Sequence, residues 1–277
     1  MTIKLIVSFK DLIRNYVQSH SLFIPTTNSK YTLDQILDVI EYVLITGSSW
    51  RSLDLPIFNS TNIKWQSIYY HFQKFSKANV FKNVYLQLLN KYFKKDRSSK
   101  LKYLSVDTSF IRNQCSSNVA FNGFVNKKRL SKLSMIVDSN GVPISALIIA
   151  GNHNDQKLFF KNWENTFIEI RSASSNNKHK RYLLADAIYD TNKVRETVKT
   201  KNIHPIIWYK KYKSSSLLKN KILSLQEKKI FKRRIIIENC FSWVFQNQRT
   251  NKRFDKSNQS YLSFLFMAFT RILLRRM

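Results

Sequence analysis

The chain is 277 residues long and 43% hydrophobic, enough for one large domain, or a medium domain with a small companion, around a substantial core. Its 47 Lys and Arg stand against 17 Asp and Glu, a formal charge of +30 with a pI near 10.2. Two cysteines, Cys115 and Cys240, exclude a disulfide framework and a cysteine-rich zinc site and fit a reducing compartment.

The first residues, MTIKLIVSFKDLIRNY, mix Lys10, Asp11 and Arg14 among the apolar ones instead of presenting a secretory h-region, so an intracellular protein is expected. Residues 31–46 place Leu33, Ile36, Leu37, Ile40, Val43 and Leu44 at helical spacing, and Gly47 stops that helix. A second helix is predicted after the capping-type Ser60 and Thr61, carrying Trp65, Ile68, Tyr69 and Phe72 towards a core, and a third over Val80 to Tyr92. The polar segment Lys94 to Lys100 then punctuates the chain. Residues 1–96 therefore read as a small helical domain, either a helix-turn-helix reader of DNA or a plain three-helix bundle.

Beyond the linker the pattern changes. LKYLSVD and KLSMIVD read as strands, and GVPISALIIAG as a third, with Gly141 in the preceding turn as a hairpin needs. Asp155 to Ile170 reads as a helix, RYLLAD as a fourth strand, TNKVRETVKTK as a helix and IHPIIWY as a fifth strand. Paired strands followed by alternating strands and helices predict an α/β layer with a mixed sheet over residues 97–277. A basic, serine-rich loop spans Lys210 to about Ser224. One long helix follows from Gln226 to about Asn247 and another over Tyr261 to Met277. The longest apolar run, Tyr261 to Leu274, is too short for a bilayer and contains Arg271, which predicts a buried helix and no membrane association.

The positive charge repels itself unless a polyanion relieves it, so nucleic acid is the expected partner. A composition rich in Lys, Asn, Ile and Phe would also raise the lysine count. The basic residues, however, fall in blocks rather than evenly.

Three acids carry the chemical argument. Asp107 is read at the end of the first strand and Asp186 at the end of the fourth, and ligands of open α/β sheets bind outside strand carboxyl ends. Glu238 lies in a helix among Ile235, Ile236, Ile237, Cys240 and Phe241, where a carboxylate needs a cationic partner; Arg234, one turn back, is available. Singly, each acid has an ordinary explanation as a turn cap or an ion pair. Together, two on strands and one on a helix suit a two-metal phosphoryl-transfer site, in which hard Mg²⁺ or Mn²⁺ takes oxygen ligands.

At this point the chain resembles the DDE-type transposases of bacterial insertion sequences, the IS-four and IS-five branch. VDTSFIRN is similar to the segment of the first catalytic aspartate, and LLADAIYDTNKVRE to that of the second, with its pair Tyr189 and Asp190. FKRRIIIENCFSWVFQNQRTNKRF resembles the segment of the catalytic glutamate, with Arg234 four residues before Glu238. The hairpin leads to an Asn-x-x-Asp element, Asn152 and Asp155, and LITGSSWRSL and SIYYHFQKFSKANVF resemble the family's helical DNA-contacting domain. The resemblance implies an RNase H-like mixed-sheet catalytic core behind the helical domain. It implies catalysis by Asp107, Asp186 and Glu238 on two Mg²⁺ or Mn²⁺ ions, with double-stranded DNA (terminal repeats and target) as substrate and a homodimer or larger assembly on DNA. The pattern departs at Phe231, where the family has tyrosine, at Phe245, where a lysine is common, and at Ala187–Ile188, where a glycine is common.

Arg249, Lys252 and Arg253 follow the Glu238 helix and are expected, with Arg234, to contact phosphates. His153 and Trp243 read first as structural residues, and Asp138 and Asp190 as minor substitutes for a named acid. Two other activities compete with transposition: a nuclease on the same core that lacks strand transfer, and a decayed or domesticated DNA-binding protein.

Overall fold

The computed structural model describes residues 8–24, 30–54, 64–113, 119–121, 129–170, 180–209 and 222–277. The chain forms two compact units: Met1–Leu89 with Asn113–Ser117 and Trp243–Met277, and Asn90–Arg112 with Asn118–Ser242.

The described part of the first unit is mainly helical. Helix α1 (Phe9–Ser19) starts in a capping box between Ser8 and Asp11, and α2 (Leu33–Thr46) in one between Thr32 and Gln35. Gly47 ends α2 in the left-handed conformation at φ 69°, its N–H bonded to the carbonyl of Val43. A Cβ at this glycine would lie 3.0 Å from the Cβ of Gln248, so the position is restricted by space as well as by backbone. After a 3₁₀ turn (Trp50–Asp54) comes α3 (Trp65–Lys77). Its N-cap position is Lys64, which makes no side-chain cap, and the expected capping residues Ser60 and Thr61 lie outside the described residues. Ile68 and Phe72 are buried as their spacing predicts, whereas Tyr69 is partly exposed. Helix α4 (Val80–Lys94) follows, and the polar segment after it is not a plain linker, since Asp96 caps a single turn, α5 (Arg97–Lys100).

The second unit is built on a mixed sheet of β1 (Tyr103–Asn113), β2 (Ala120–Phe121), β3 (Arg129–Val137), β4 (Pro143–Ala150), β5 (Arg181–Ala185) and β6 (Ile203–Ile207). Its main path runs β4-β3-β1-β5-β6, with β2 also paired to β3. Neighbours β1, β3 and β4 are antiparallel, while β5 is parallel to both β1 and β6. Every residue from Leu130 to Asp138 is buried, as expected of a strand with neighbours on both sides. The β3–β4 hairpin turns at Gly141 (φ 78°), and Asp138 accepts the N–H groups of Asn140 and Val142 there. Asp138 is thus a turn residue. Helix α6 (Asp155–Glu164) packs on β3 and β4, and α7 (Asn192–Lys199) on β6.

Two expectations about length are corrected. Strand β1 does not stop at Asp107 but runs six residues further, because β3 pairs with it from Ser105 to Arg112. The helix expected over residues 226–247 is two helices, α8 (Leu225–Phe231) and α9 (Ile235–Phe245), joined by a 3₁₀ turn at Lys232–Arg234. A short α10 (Gln248–Asn251) precedes the last helix, α11 (Asn258–Leu274). Helix α11 was read with the α/β domain from sequence, but it belongs to the first unit, where it packs on α1, α2 and α3. Buried side chains on all its sides, Phe264 to Phe269 in succession, make it a core helix. None of the described helices is long and apolar enough to cross a membrane.

Candidate active site

The sheet sets two acids side by side. Parallel pairing aligns Tyr103 with Tyr182, Leu104 with Leu183 and Ser105 with Leu184; the same register, carried two residues on, brings Asp107 level with Asp186. Strand β5 ends at Ala185, so Asp186 stands just past a strand end, while Asp107 lies within a strand whose parallel neighbour has stopped. The third acid arrives on α9, and Arg234 in the preceding 3₁₀ turn lies one helical turn before it.

One guanidinium joins the three. Arg234 Nη2 donates to Asp107 Oδ2 at 2.6 Å and to Asp186 Oδ2 at 2.7 Å, and Nη1 donates to Glu238 Oε1 at 2.7 Å. Because both nitrogens belong to one rigid planar group, the bonded oxygen of Glu238 is within about 8 Å of each aspartate oxygen. Arg234 and Asp107 are mostly enclosed, with side chains 10% and 21% exposed, whereas Asp186 and Glu238 are 49% and 52% exposed. Glu238 is therefore not the carboxylate in apolar surroundings that its neighbours in sequence suggested; the isoleucines flank it along the helix while its own side chain reaches solvent.

Burial pushes Asp107 up to about 6; Arg234 and the Thr108 N–H oppose this, and the charges on Asp186 and Glu238 add to it. Asp107 and Asp186 line an open cleft of about 590 Å³ walled by Ile188, Trp208 and Phe231. Ile188 and Trp208 remain substantially exposed. Phe231, where the family has tyrosine, packs its ring 5.5 Å from that of Trp208.

A fourth acid, Asp155, also lines the cleft. It pairs with Lys132, 2.8 Å away and likewise buried; the sequence marks Asp155 through the Asn-x-x-Asp element but gives no role to Lys132. The available signal was a lysine inside the otherwise apolar and small-residue run LSKLSMIV. Nearby, the hydroxyl of Tyr189 is buried beside the Thr108 side chain; burial together with the charges of Asp107 and Asp155 raises its pKa, and the Thr108 contact opposes this.

The expected phosphate contacts divide. Arg249 and Arg253 are 3% and 1% exposed and belong to the core of the first unit. Arg249 bonds Asp255 at 3.0 Å and lies against the rings of Trp50, Phe254 and Phe264. Arg253 bonds the Asp255 carbonyl and Asn258 and covers Tyr261. Their positive charge is used internally, so neither is placed to grip a phosphate; Lys252 between them is exposed. Asp190 pairs with Arg195 at 2.9 Å, the side chain of His153 is exposed, and Trp243 lies under Arg276.

A mixed sheet in this order, carrying acids on β1 and after β5 and a third on a helix, defines an RNase H-like α/β core. The chain belongs to the Transposase DDE domain family, whose model matches residues 87–273, and is thereby a DNA transposase by family. None of the curated proteins compared with it matches. Among solved structures, the piggyBac transposase synaptic complex with hairpin DNA is similar at a TM-score of 0.53 and 10% identity, over 96% of this chain and 71% of that one. The Mos1 transposase paired-end complex with left transposon end gives 0.32 and 9%, over 91% and 79%.

Proposed function

We propose that this protein binds the ends of its own mobile element, cleaves the DNA there and joins the freed 3′-hydroxyl to target DNA, with Asp107, Asp186 and Glu238 as its catalytic acids. The observation that carries the reading is the single guanidinium shared by all three carboxylates. A site that gathers three acids from β1, the end of β5 and α9 around one positive group has the donor chemistry for hard divalent cations, whose ligands are oxygens.

The fit has one condition. Among the described residues no three His, Cys, Asp or Glu already stand at metal-cage spacing, and Arg234 fills the middle of the acid cluster. The carboxylates would therefore hold Mg²⁺ or Mn²⁺, two ions in our reading, only after the guanidinium withdraws. Bound ions would polarise the scissile phosphate and lower the pKa of an attacking water or 3′-hydroxyl. Asp107 and Asp186 would hold them from the sheet and Glu238 from the helix. Arg234, once released, would donate to a DNA phosphate in place of the carboxylates, and exposed Lys252 would be a further phosphate contact.

The piggyBac neighbour is a synaptic complex with hairpin DNA, which supports double-stranded DNA ends as substrate and assembly of at least two copies on them. The segments around the acids support membership of the insertion-sequence branch. The test is Mn²⁺-dependent cleavage of duplexes bearing the element's flanking repeats, followed by joining of pre-cut ends to plasmid DNA. Wild type should do both, and Asp107→Asn, Asp186→Asn and Glu238→Gln neither. Cleavage without joining would favour a nuclease, whereas Phe231 in the cleft wall, where the family has tyrosine, lends its weight to the non-catalytic reading. Equal Mn²⁺ binding heats for wild type and Asp186→Ala would favour a non-catalytic DNA-binding protein.

A further inference from the structure

The reading above leaves one buried ion pair beside the cleft without a task. Lys132 and Asp155 are 5% and 9% exposed. A buried pair of this kind at best breaks even against apolar residues of the same volume, so stability alone does not account for it. The lysine is fully engaged: Nζ donates to Asp155 Oδ1 at 2.8 Å and to the His153 carbonyl at 2.9 Å, and sits 4.9 Å from the ring centre of Phe110. The same Asp155 oxygen accepts the hydroxyl of Thr108 at 3.1 Å, and the backbone N–H of Thr108 donates to Asp107 Oδ1 at 2.8 Å. One continuous chain of bonds thus runs from the lysine to a carboxylate of the acid cluster.

Strand geometry gives this chain a purpose. Successive side chains of β1 point to opposite faces of the sheet, so Thr108 and Phe110 share a face that Asp107 does not. Phe110 pairs with Lys132 and Thr108 with Ser134 in the β1–β3 register, and Ser134 accepts a hydrogen bond from Asn162 of α6, so this is the face that α6 covers. Asp155 is the first residue of that helix, which Asn154 caps. Asp107 therefore stands on the other face, in the stretch of β1 that lies beyond Ser105, its last residue paired with β5 (opposite Leu184). There the strand lacks β5 to hold it, and a bond from the Thr108 hydroxyl to a fixed acceptor replaces the missing constraint.

We propose that Lys132 and Asp155 are positioning residues that anchor Thr108 from the reverse face of the sheet and so fix the carboxylate of Asp107 for metal binding and phosphodiester cleavage. This rests on the proposed role of Asp107. Lys132 fixes the Asp155 oxygen, that oxygen fixes the Thr108 hydroxyl, and the Thr108 N–H orients Asp107. Displacements well under 1 Å matter at such a site, since misplacement by about 1 Å can reduce a rate about 100-fold.

The experiment compares wild type, Thr108→Val, Thr108→Ser, the double variant Lys132→Met/Asp155→Leu, the triple variant and Asp107→Asn. Mn²⁺ affinity is measured by titration calorimetry, and nicking of supercoiled plasmid in Mn²⁺ gives kcat and KM. Thr108→Val, which removes only the hydroxyl, should weaken Mn²⁺ binding and lower kcat each about 10-fold with KM for DNA unchanged, and Thr108→Ser should restore both. The double variant, which leaves no unpaired buried charge, should show the same loss, and adding Thr108→Val to it should cost nothing more because the residues act as one unit. Normal Mn²⁺ binding and kcat in folded Thr108→Val, or additive losses in the triple variant, would overturn the anchor. If Asp107→Asn also binds Mn²⁺ like wild type, the metal reading itself has failed; if Asp107→Asn loses binding and Thr108→Val does not, only the anchor has.

Discussion

Replacing Arg234 by glutamine removes the one positive group that the three acids share, and the structure sets the size of the effect. Its bond to Asp107 is largely enclosed, and a charge-assisted hydrogen bond of that kind contributes about 1.5–3 kcal/mol. The bonds to Asp186 and Glu238 are half exposed, so solvent screening limits each to about 0.2–1 kcal/mol. Arg234→Gln should therefore unfold at lower denaturant in EDTA, by roughly 2–5 kcal/mol, since the loss also leaves like charges facing one another. The same change vacates the centre of the cluster, so Mn²⁺ should bind the variant more tightly than it binds wild type. At a free concentration about 100 times the Kd, the ion should return about 2.7 kcal/mol of stability. Chemical unfolding with and without Mn²⁺, with calorimetric titration of both proteins, reads each quantity. A variant as stable as wild type in EDTA, or one that binds Mn²⁺ no better, would refute the view that Arg234 holds the place of the cation.

Three further changes probe the fold around the site. Tyr189→Phe removes a buried hydroxyl that meets the Thr108 side chain and should lower stability by about 0.5–1.5 kcal/mol in denaturant unfolding; an unchanged stability would show that the contact contributes nothing. Gly47→Ala puts a Cβ on a left-handed residue and against Gln248, and should lower stability by about 1–3 kcal/mol in thermal or chemical unfolding. Burial lifts the pKa of Asp138 to about 6 from an ordinary 3.8, against the opposing bonds from Val142, Tyr92 and Asn140. The folded state therefore holds this proton more tightly than the unfolded chain does. Its contribution is complete below about pH 4 and is lost as pH rises through about 6, a change on the order of 3 kcal/mol. Asp138→Asn should flatten the fall in stability between pH 4 and 6.5, and an unchanged slope would count against the shift.

Much of this protein could be read from residues whose surroundings are local. Helix α2 announces itself by its apolar spacing and Gly47, and the β3–β4 hairpin by Gly141 before the strand. Secondary structure of this kind depends on neighbours a few residues away, and the sequence contains them. The three acids were nameable too, through their placement and a family resemblance. What distant contacts decide was not legible. Strand β1 continues past Asp107 because β3, more than twenty residues later, supplies its partner. Arg249 and Arg253 look like free basic residues, yet bonds with Asp255 and Asn258 and contacts with aromatic rings draw them inside. Among the acids, the sequence offers Arg234 only Glu238, since i to i+4 spacing shows only that contact. Its bonds to Asp107 and Asp186, 127 and 48 residues away, exist only once the sheet has set β1 beside β5 and brought α9 over them. Sequence alone determined which residues carry charge and which segments form helices and strands, because those follow from side-chain chemistry and short-range geometry. Tertiary structure alone decided which charges neutralise one another, because burial and distance are properties of the folded chain.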